Sequence, residues 1–82
     1  MGIEDEIAEL KRLGLFLDHD GDWCFGARSP RVFLLRPTAR HDSHNRDPVF
    51  WTVRYNGRNI AKAATPLAAY GAAILFGVIH EQ

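Results

Sequence analysis

The chain has little that would tie it to a membrane, an oxidising compartment or a cofactor. It contains one cysteine, Cys24, in 82 residues, so no internal disulfide can form, and this fits a reducing cytosol. Its acidic N-terminal segment lacks the basic and then apolar layout of a secretory signal. Internal repeats and low-complexity tracts are also missing. These absences predict a single cytoplasmic domain, residues 1–82, with one small core.

The longest apolar stretch, from Thr65 to Ile79, contains no charged residue. A helix over 66–79 would be about 21 Å long, whereas the hydrocarbon core of a bilayer is about 30 Å thick. This length excludes a membrane span. We therefore expect Thr65 to cap a helix that packs against the domain's own sheet and against a partner.

This apolar helix has more hydrophobic surface than one sheet can cover. We expect Leu67, Tyr70, Ile74 and Val78 to face the core, leaving an apolar strip exposed on the far side. A protein partner would cover that strip, and a second copy of the chain would make a homodimer through the C-terminal helix. The strip is formed by Ala69, Ala73, Phe76 and Gly77.

The chain also lacks net charge, because ten basic residues balance ten acidic ones. The charges are nevertheless segregated. Residues 1–22 carry seven acidic and two basic side chains, whereas residues 28–62 carry eight basic and two acidic ones. Seven of those eight bases are arginines, which bind phosphate or carboxylate through a planar fork of donors. The pattern indicates either a polar partner surface or two blocks that neutralise each other within one domain.

Hydrophobic periodicity predicts an α+β fold of the order helix, three- to four-stranded antiparallel sheet, C-terminal helix (α-β-β-β-α). The first helix has solvated acids in its first turn and ends at Gly14. Residues 31–36 are apolar on both faces, which is typical of a central strand. Asn56-Gly57 between two strand-like segments is the strongest short-range hairpin signal.

No catalytic or metal-binding motif stands out. Residues 18–22, DHDGD, resemble a calcium loop, but the glycine is misplaced and no bidentate glutamate follows, so we expect a hairpin turn. His41 and His44 are too few for a zinc site. Cys24 is expected to be a buried thiol. We therefore expect no enzyme, no cofactor and no metal.

The strongest candidate for a polar contact surface is the segment between Pro37 and Pro48. It is rich in arginine and histidine, and the following hairpin adds two more arginines. The residues expected to contact a partner are Arg40, His41, His44, Arg46, Arg54, Arg58 and Phe76.

Two segments resemble double-stranded-RNA-binding domains. EIAELKRLGL is similar to the first helix of that family, and FWTVRYNGRNIAKAATPLAAYGAA is similar to its last hairpin and second helix, including Ala69, Ala72 and Ala73. His44 lies close to the position of a groove-reading histidine in that family. The resemblance implies an α-β-β-β-α fold with both helices on one face of the sheet.

The basic cluster with which that family grips phosphates is missing here, since the matching positions are Pro66, Leu67 and Tyr70. Two functional hypotheses remain. One is a small non-enzymatic docking module, similar in size and character to phage-encoded inhibitors such as anti-CRISPR proteins, that occupies a surface of a nucleic-acid-handling complex. The alternative is a nucleic-acid-binding domain whose central arginines contact phosphates.

Overall fold

A computed structural model describes residues 2–26, 28, 30–37 and 50–79. Over these residues the chain forms two helices and five strands, so the architecture is α+β as the sequence predicts, with one strand more than expected. In chain order the elements are α1 (Ile3–Arg12), β1 (Phe16–Leu17), β2 (Trp23–Phe25), β3 (Val32–Leu35), β4 (Trp51–Tyr55), β5 (Arg58–Ala63) and α2 (Pro66–Leu75).

The strands form one antiparallel sheet in which each strand pairs with its neighbours in sequence, in the order β1-β2-β3-β4-β5. The central position of β3 agrees with its apolar residues on both faces. The β4–β5 hairpin turns at Asn56 and Gly57, whose φ angles of 53° and 77° suit a type I′ turn. A register shift next to Val53 leaves Ile60 as an extra residue, so that Ile60 and Ala61 both pack toward the core.

Both helices pack on the same side of the sheet, around one hydrophobic core. The sheet contributes Trp51, Leu34 and Val53, each at most 1% exposed, and α1 contributes the fully buried Leu10. α1 ends at Arg12, and the predicted stop, Gly14, follows the C-cap Leu13 with a φ of 116°, in the left-handed region that glycine tolerates. The turn there brings the chain directly from the helix into the edge of the sheet.

α2 faces the sheet with its small residues, which differs from the expected orientation. Ala69 and Ala73 are fully buried, whereas Leu67, Tyr70 and Ile74 are only half-buried on the flanks. The expectation that Ala69 and Ala73 lie on an exposed strip is therefore wrong. Small side chains under the helix allow its backbone to approach the sheet closely, and the larger side chains then pack down on either side.

α2 also ends earlier than expected, at Leu75. Gly77 has a φ of 78°, its N–H donates to the Ile74 carbonyl at 2.9 Å, and the Val78 N–H donates to the Ala73 carbonyl at 3.1 Å. These bonds form a Schellman motif, which stops the helix and turns the chain back toward the core. None of the described helices is long and apolar enough to cross a bilayer.

Candidate partner-binding surfaces

The C-terminal end of α2 carries the two most exposed large apolar side chains among the described residues. Leu75 is 88% exposed and Phe76, the residue that caps the helix, is 60% exposed. We call this pair the α2 tip. Phe76 therefore lies on the surface, as the sequence predicts, but Leu75 rather than the buried alanines lies beside it. An exposed leucine and phenylalanine in succession form an apolar surface that a partner can cover.

The outward side of α2, which leads to the α2 tip, carries small side chains. Ala68 is exposed and Gly71 is half-buried, and both lie on the same side of the helix as Leu75, seven and four residues before it. α2 carries no charged residue in its first or last turn. A partner can therefore approach the helix closely along this side and contact the α2 tip without desolvating a charge.

A groove of about 540 Å³ opens between the C-terminal ends of the two helices and the β2–β3 connection. Inside it the rings of Phe25 and Tyr70 contact each other, with centroids 5.3 Å apart. Its charged lining residue, Arg12, has its Nη1 atom 3.4 Å from Glu9 Oε2. The walls combine apolar side chains with polar atoms, so the groove is not a purely apolar site. The described lining residues are Arg12, Leu13, Gly14, Phe25, Gly26, Pro30, Val32, Tyr70, Val78 and Ile79.

The side of the sheet opposite the helices, which we call the open face, has a row of aromatic and basic residues. The strand register places Phe16 beside Cys24, Cys24 beside Phe33, and Phe33 beside Arg54. Phe16 is 38% exposed and lies 5.7 Å from the guanidinium carbon of Arg31. Cys24 is fully buried between its aromatic neighbours. Burial, and then the charge of Asp18, raise the pKa of the Cys24 thiol.

The open face carries opposite charges at its two edges. Asp18 and Asp22 continue the side-chain alternation of Phe16 and Cys24 into the β1–β2 turn, where their backbones pair. At the other edge Lys62 lies opposite Thr52 and is exposed. The Arg54 Nε–H, also on this side, donates to Asn59 Oδ1 at 2.9 Å. The face therefore carries two acids and one base, Arg31, at β1–β2, is apolar at its centre, and is basic at β4–β5.

The acidic segment 18–22 forms the hairpin turn that its sequence predicts. Asp18 Oδ1 accepts hydrogen bonds from the backbone N–H groups of Asp20 at 3.0 Å and Asp22 at 2.9 Å. Ligand atoms of Asp18, His19 and Asp20 lie within 4.8 Å of one another. The bonds to the backbone account for the position of the Asp18 carboxylate, which organises the turn.

The structure does not gather the predicted contact residues at one place. Arg54 lies on the open face, whereas Arg58 pairs with Tyr55 on the helix side of the sheet. Arg36 is likewise on the helix side, 5.8 Å from the Trp51 ring. The described arginines therefore do not form a single phosphate-contacting face. Four predicted contact residues, Arg40, His41, His44 and Arg46, lie outside the described residues.

Sequence reasoning missed Leu75 at the α2 tip and the apolar centre of the open face, Phe33 and Leu35. For Leu75 the signal was Gly77, a helix terminator two residues on. For Phe33 and Leu35 it was the two-faced apolar run of β3, because only one face of a sheet can contact the two helices. No protein family, curated protein or solved structure matches this chain.

Proposed function

We propose that this chain is a small non-enzymatic docking module that binds a protein partner through the α2 tip. The observation that carries this proposal is the exposure of Leu75 and Phe76, 88% and 60%, at the end of a helix without charged residues. Burying a leucine or a phenylalanine contributes about 1.5–3 kcal/mol each. The groove that Val78 and Ile79 line, just after the α2 tip in sequence, adds a depression of mixed polar and apolar lining for a partner side chain.

The partner that fits this proposal is a component of a nucleic-acid-handling complex in the cytoplasm. The chain would act as phage-encoded inhibitors of the anti-CRISPR type do, by occupying a surface that the complex needs. Its zero net charge supports steric occupation, because a neutral domain is not drawn to the nucleic acid itself. A second copy of the chain at the α2 tip is the competing occupant, and it would give a homodimer through the C-terminal helix.

The test is capture of a partner from a lysate by the immobilised chain. The wild type is compared with variants in which an exposed apolar side chain is replaced, either at the α2 tip or elsewhere on the surface. Phe76→Asp and Leu75→Asp should each abolish capture and leave the melting temperature unchanged. Leu17→Asp is the control, because Leu17 is 53% exposed but lies on β1 at the sheet edge. Equal capture by Phe76→Asp and the wild type would contradict the proposal. Light scattering on the same variants shows whether the α2 tip binds a second copy instead.

A nucleic-acid-binding domain is the second candidate, favoured by the arrangement of Arg54 beside Phe33 with Lys62 on the same face of the sheet. Aromatic rings can stack on bases while cations contact phosphates. Gel-shift titrations with single- and double-stranded RNA and DNA at increasing salt test it. Tight binding that weakens steeply with salt, and that Arg54→Ala reduces, would replace the docking proposal.

A further inference from the structure

The open face has the pattern of a surface that can pair with itself. Its centre is apolar, because Phe33 and Leu35 of the central strand are half-buried there. Its β1–β2 edge, the acidic edge, holds Asp18 and Asp22 against one base, Arg31, and its β4–β5 edge, the basic edge, holds Arg54 and Lys62. A surface with opposite charges on either side of an apolar centre becomes complementary to itself when a second copy is rotated by half a turn.

We propose that a second copy of this chain covers the open face, in a twofold dimer whose axis runs parallel to β3. This rotation places the β1–β2 edge of one protomer over the β4–β5 edge of its partner. Phe33 and Leu35 then face the same residues of the other copy at the axis. By the strand order and register, the partner's Lys62 lies opposite Asp18 at each edge and one strand spacing, about 4.8 Å, from Asp22. The contact between these acids and Lys62 is formed twice. Two sheets that pack face to face in this way keep their strands within about 30° of each other.

The charges on the face favour a second copy over a polyanion. Arg31, Arg54 and Lys62 would attract a phosphate chain, but Asp18 and Asp22 on the same face would repel it. In the dimer these same acids meet cations instead. Zero net charge also means that two copies do not repel each other at long range.

The size of the face sets the expected strength of the dimer. Five strands about 4.8 Å apart and on average about four residues long make a sheet of roughly 24 by 13 Å, or about 300 Å² on each copy. The total of roughly 600 Å² is below the roughly 1,200 Å² at which standard-size interfaces begin. We therefore expect a weak, transient dimer with a Kd on the order of 100 μM.

The experiment is sedimentation equilibrium of the full chain from about 10 μM to about 1 mM, a range that spans the expected Kd. Lys62→Glu alone should set acid against acid, and Asp22→Lys alone should set base against base. Each should raise the Kd about tenfold or more, because like charges then meet twice. An equimolar mixture of the two variants should restore association to within about threefold of the wild type, since residues 22 and 62 are again opposite in charge at both edges.

The matched control is Arg58→Glu, which makes the same change of charge on the same strand but on the helix side of the sheet. It should change the Kd less than twofold. The proposal is overturned if the wild type stays monomeric, if Lys62→Glu and Arg58→Glu weaken association equally, or if the mixed variants fail to associate. It is also overturned if Phe76→Asp abolishes the dimer, because the C-terminal helix would then be the contact. The lysate capture assay is repeated with Lys62→Glu. Because the docking proposal depends on the α2 tip and not on the open face, normal capture by this variant shows that a failure of one proposal does not imply a failure of the other.

Discussion

The side chain of Glu6 in α1 accepts a hydrogen bond from the backbone N–H of Leu67 in the first turn of α2, across 3.1 Å. Although Glu6 belongs to a run of acids expected to be solvated, it is only 8% exposed. The carboxylate satisfies a helix N–H that has no partner within α2, and it lies at the positive end of the helix dipole. Thr65 Oγ1 accepts from the Ala68 N–H at 3.1 Å and completes the cap.

Removing the Glu6 carboxylate should therefore loosen the contact between the helices. We expect Glu6→Ala to lower the free energy of unfolding by about 1–3 kcal/mol, because the Leu67 N–H loses its acceptor in a part-buried place. Glu6→Gln keeps an oxygen in the same position and should lose less than half as much. Urea unfolding measures both values. Equal losses for the two variants would show that the charge, and not the hydrogen bond, matters.

Because α2 lies close to the sheet, we expect the same substitution to change stability differently at two neighbouring alanines. Ala69 is fully buried and Ala68 is exposed. Ala69→Leu should destabilise the domain by about 1–3 kcal/mol, because the added atoms have no space without shifting the helix. Ala68→Leu, which has the same effect on helix propensity, should stay within about 0.5 kcal/mol of the wild type. A smaller effect at Ala69 than at Ala68 would contradict the observed orientation.

The β1–β2 turn depends on one carboxylate. Asp18→Ala removes the acceptor for the N–H groups of Asp20 and Asp22, and we expect a loss of about 1–2 kcal/mol. Asp20→Ala is the control, because the Asp20 side chain accepts no hydrogen bond from the turn backbone among the described residues; it should change stability by less than about 0.5 kcal/mol. Thermal unfolding gives the comparison. Faster amide exchange at Asp20 and Asp22 in Asp18→Ala would place the change in the turn.

The buried thiol of Cys24 should make stability fall in alkaline solution. Burial, and then the nearby charge of Asp18, raise the pKa of Cys24 in the folded protein above the ordinary value of about 8.5. The thiol therefore contributes fully below that value, and its contribution is lost as pH rises through the raised pKa. Cys24→Ala should flatten this decline above pH about 8.5, where the loss of the thiol's contribution begins. An unchanged slope in Cys24→Ala would assign the decline to other groups.

The strands and the first helix were predictable because local signals agreed there. Asn56-Gly57 is a hairpin signal that depends on two residues alone, and the alternation of β4 places Trp51 and Val53 in the core. The α+β class follows from these signals. The β1–β2 segment was harder, since only five residues of strand flank its turn.

The errors concern α2 and have two physical causes. A helix that is apolar on all sides has no polar face, so periodicity cannot choose which side meets the sheet. Large residues were assigned to the core, but close packing selected Ala69 and Ala73. The apolar run also continues through Gly77, so hydrophobicity alone does not show that the helix stops before this residue. In α1, by contrast, Gly14 is readily recognised as the helix terminator. The open face could not be located at all until the sheet order was known.

The strand order has a further consequence, for the way the chain reaches its native state. Every strand pair in the sheet joins neighbours along the chain, so the sheet can assemble by successive hairpin closures. The bond between Glu6 and Leu67, by contrast, closes a separation of 61 residues. Proteins dominated by local pairings fold quickly, in microseconds to milliseconds for the most local ones. Docking of the two ends of the chain onto a preformed sheet would then be the slow, entropically costly step of folding.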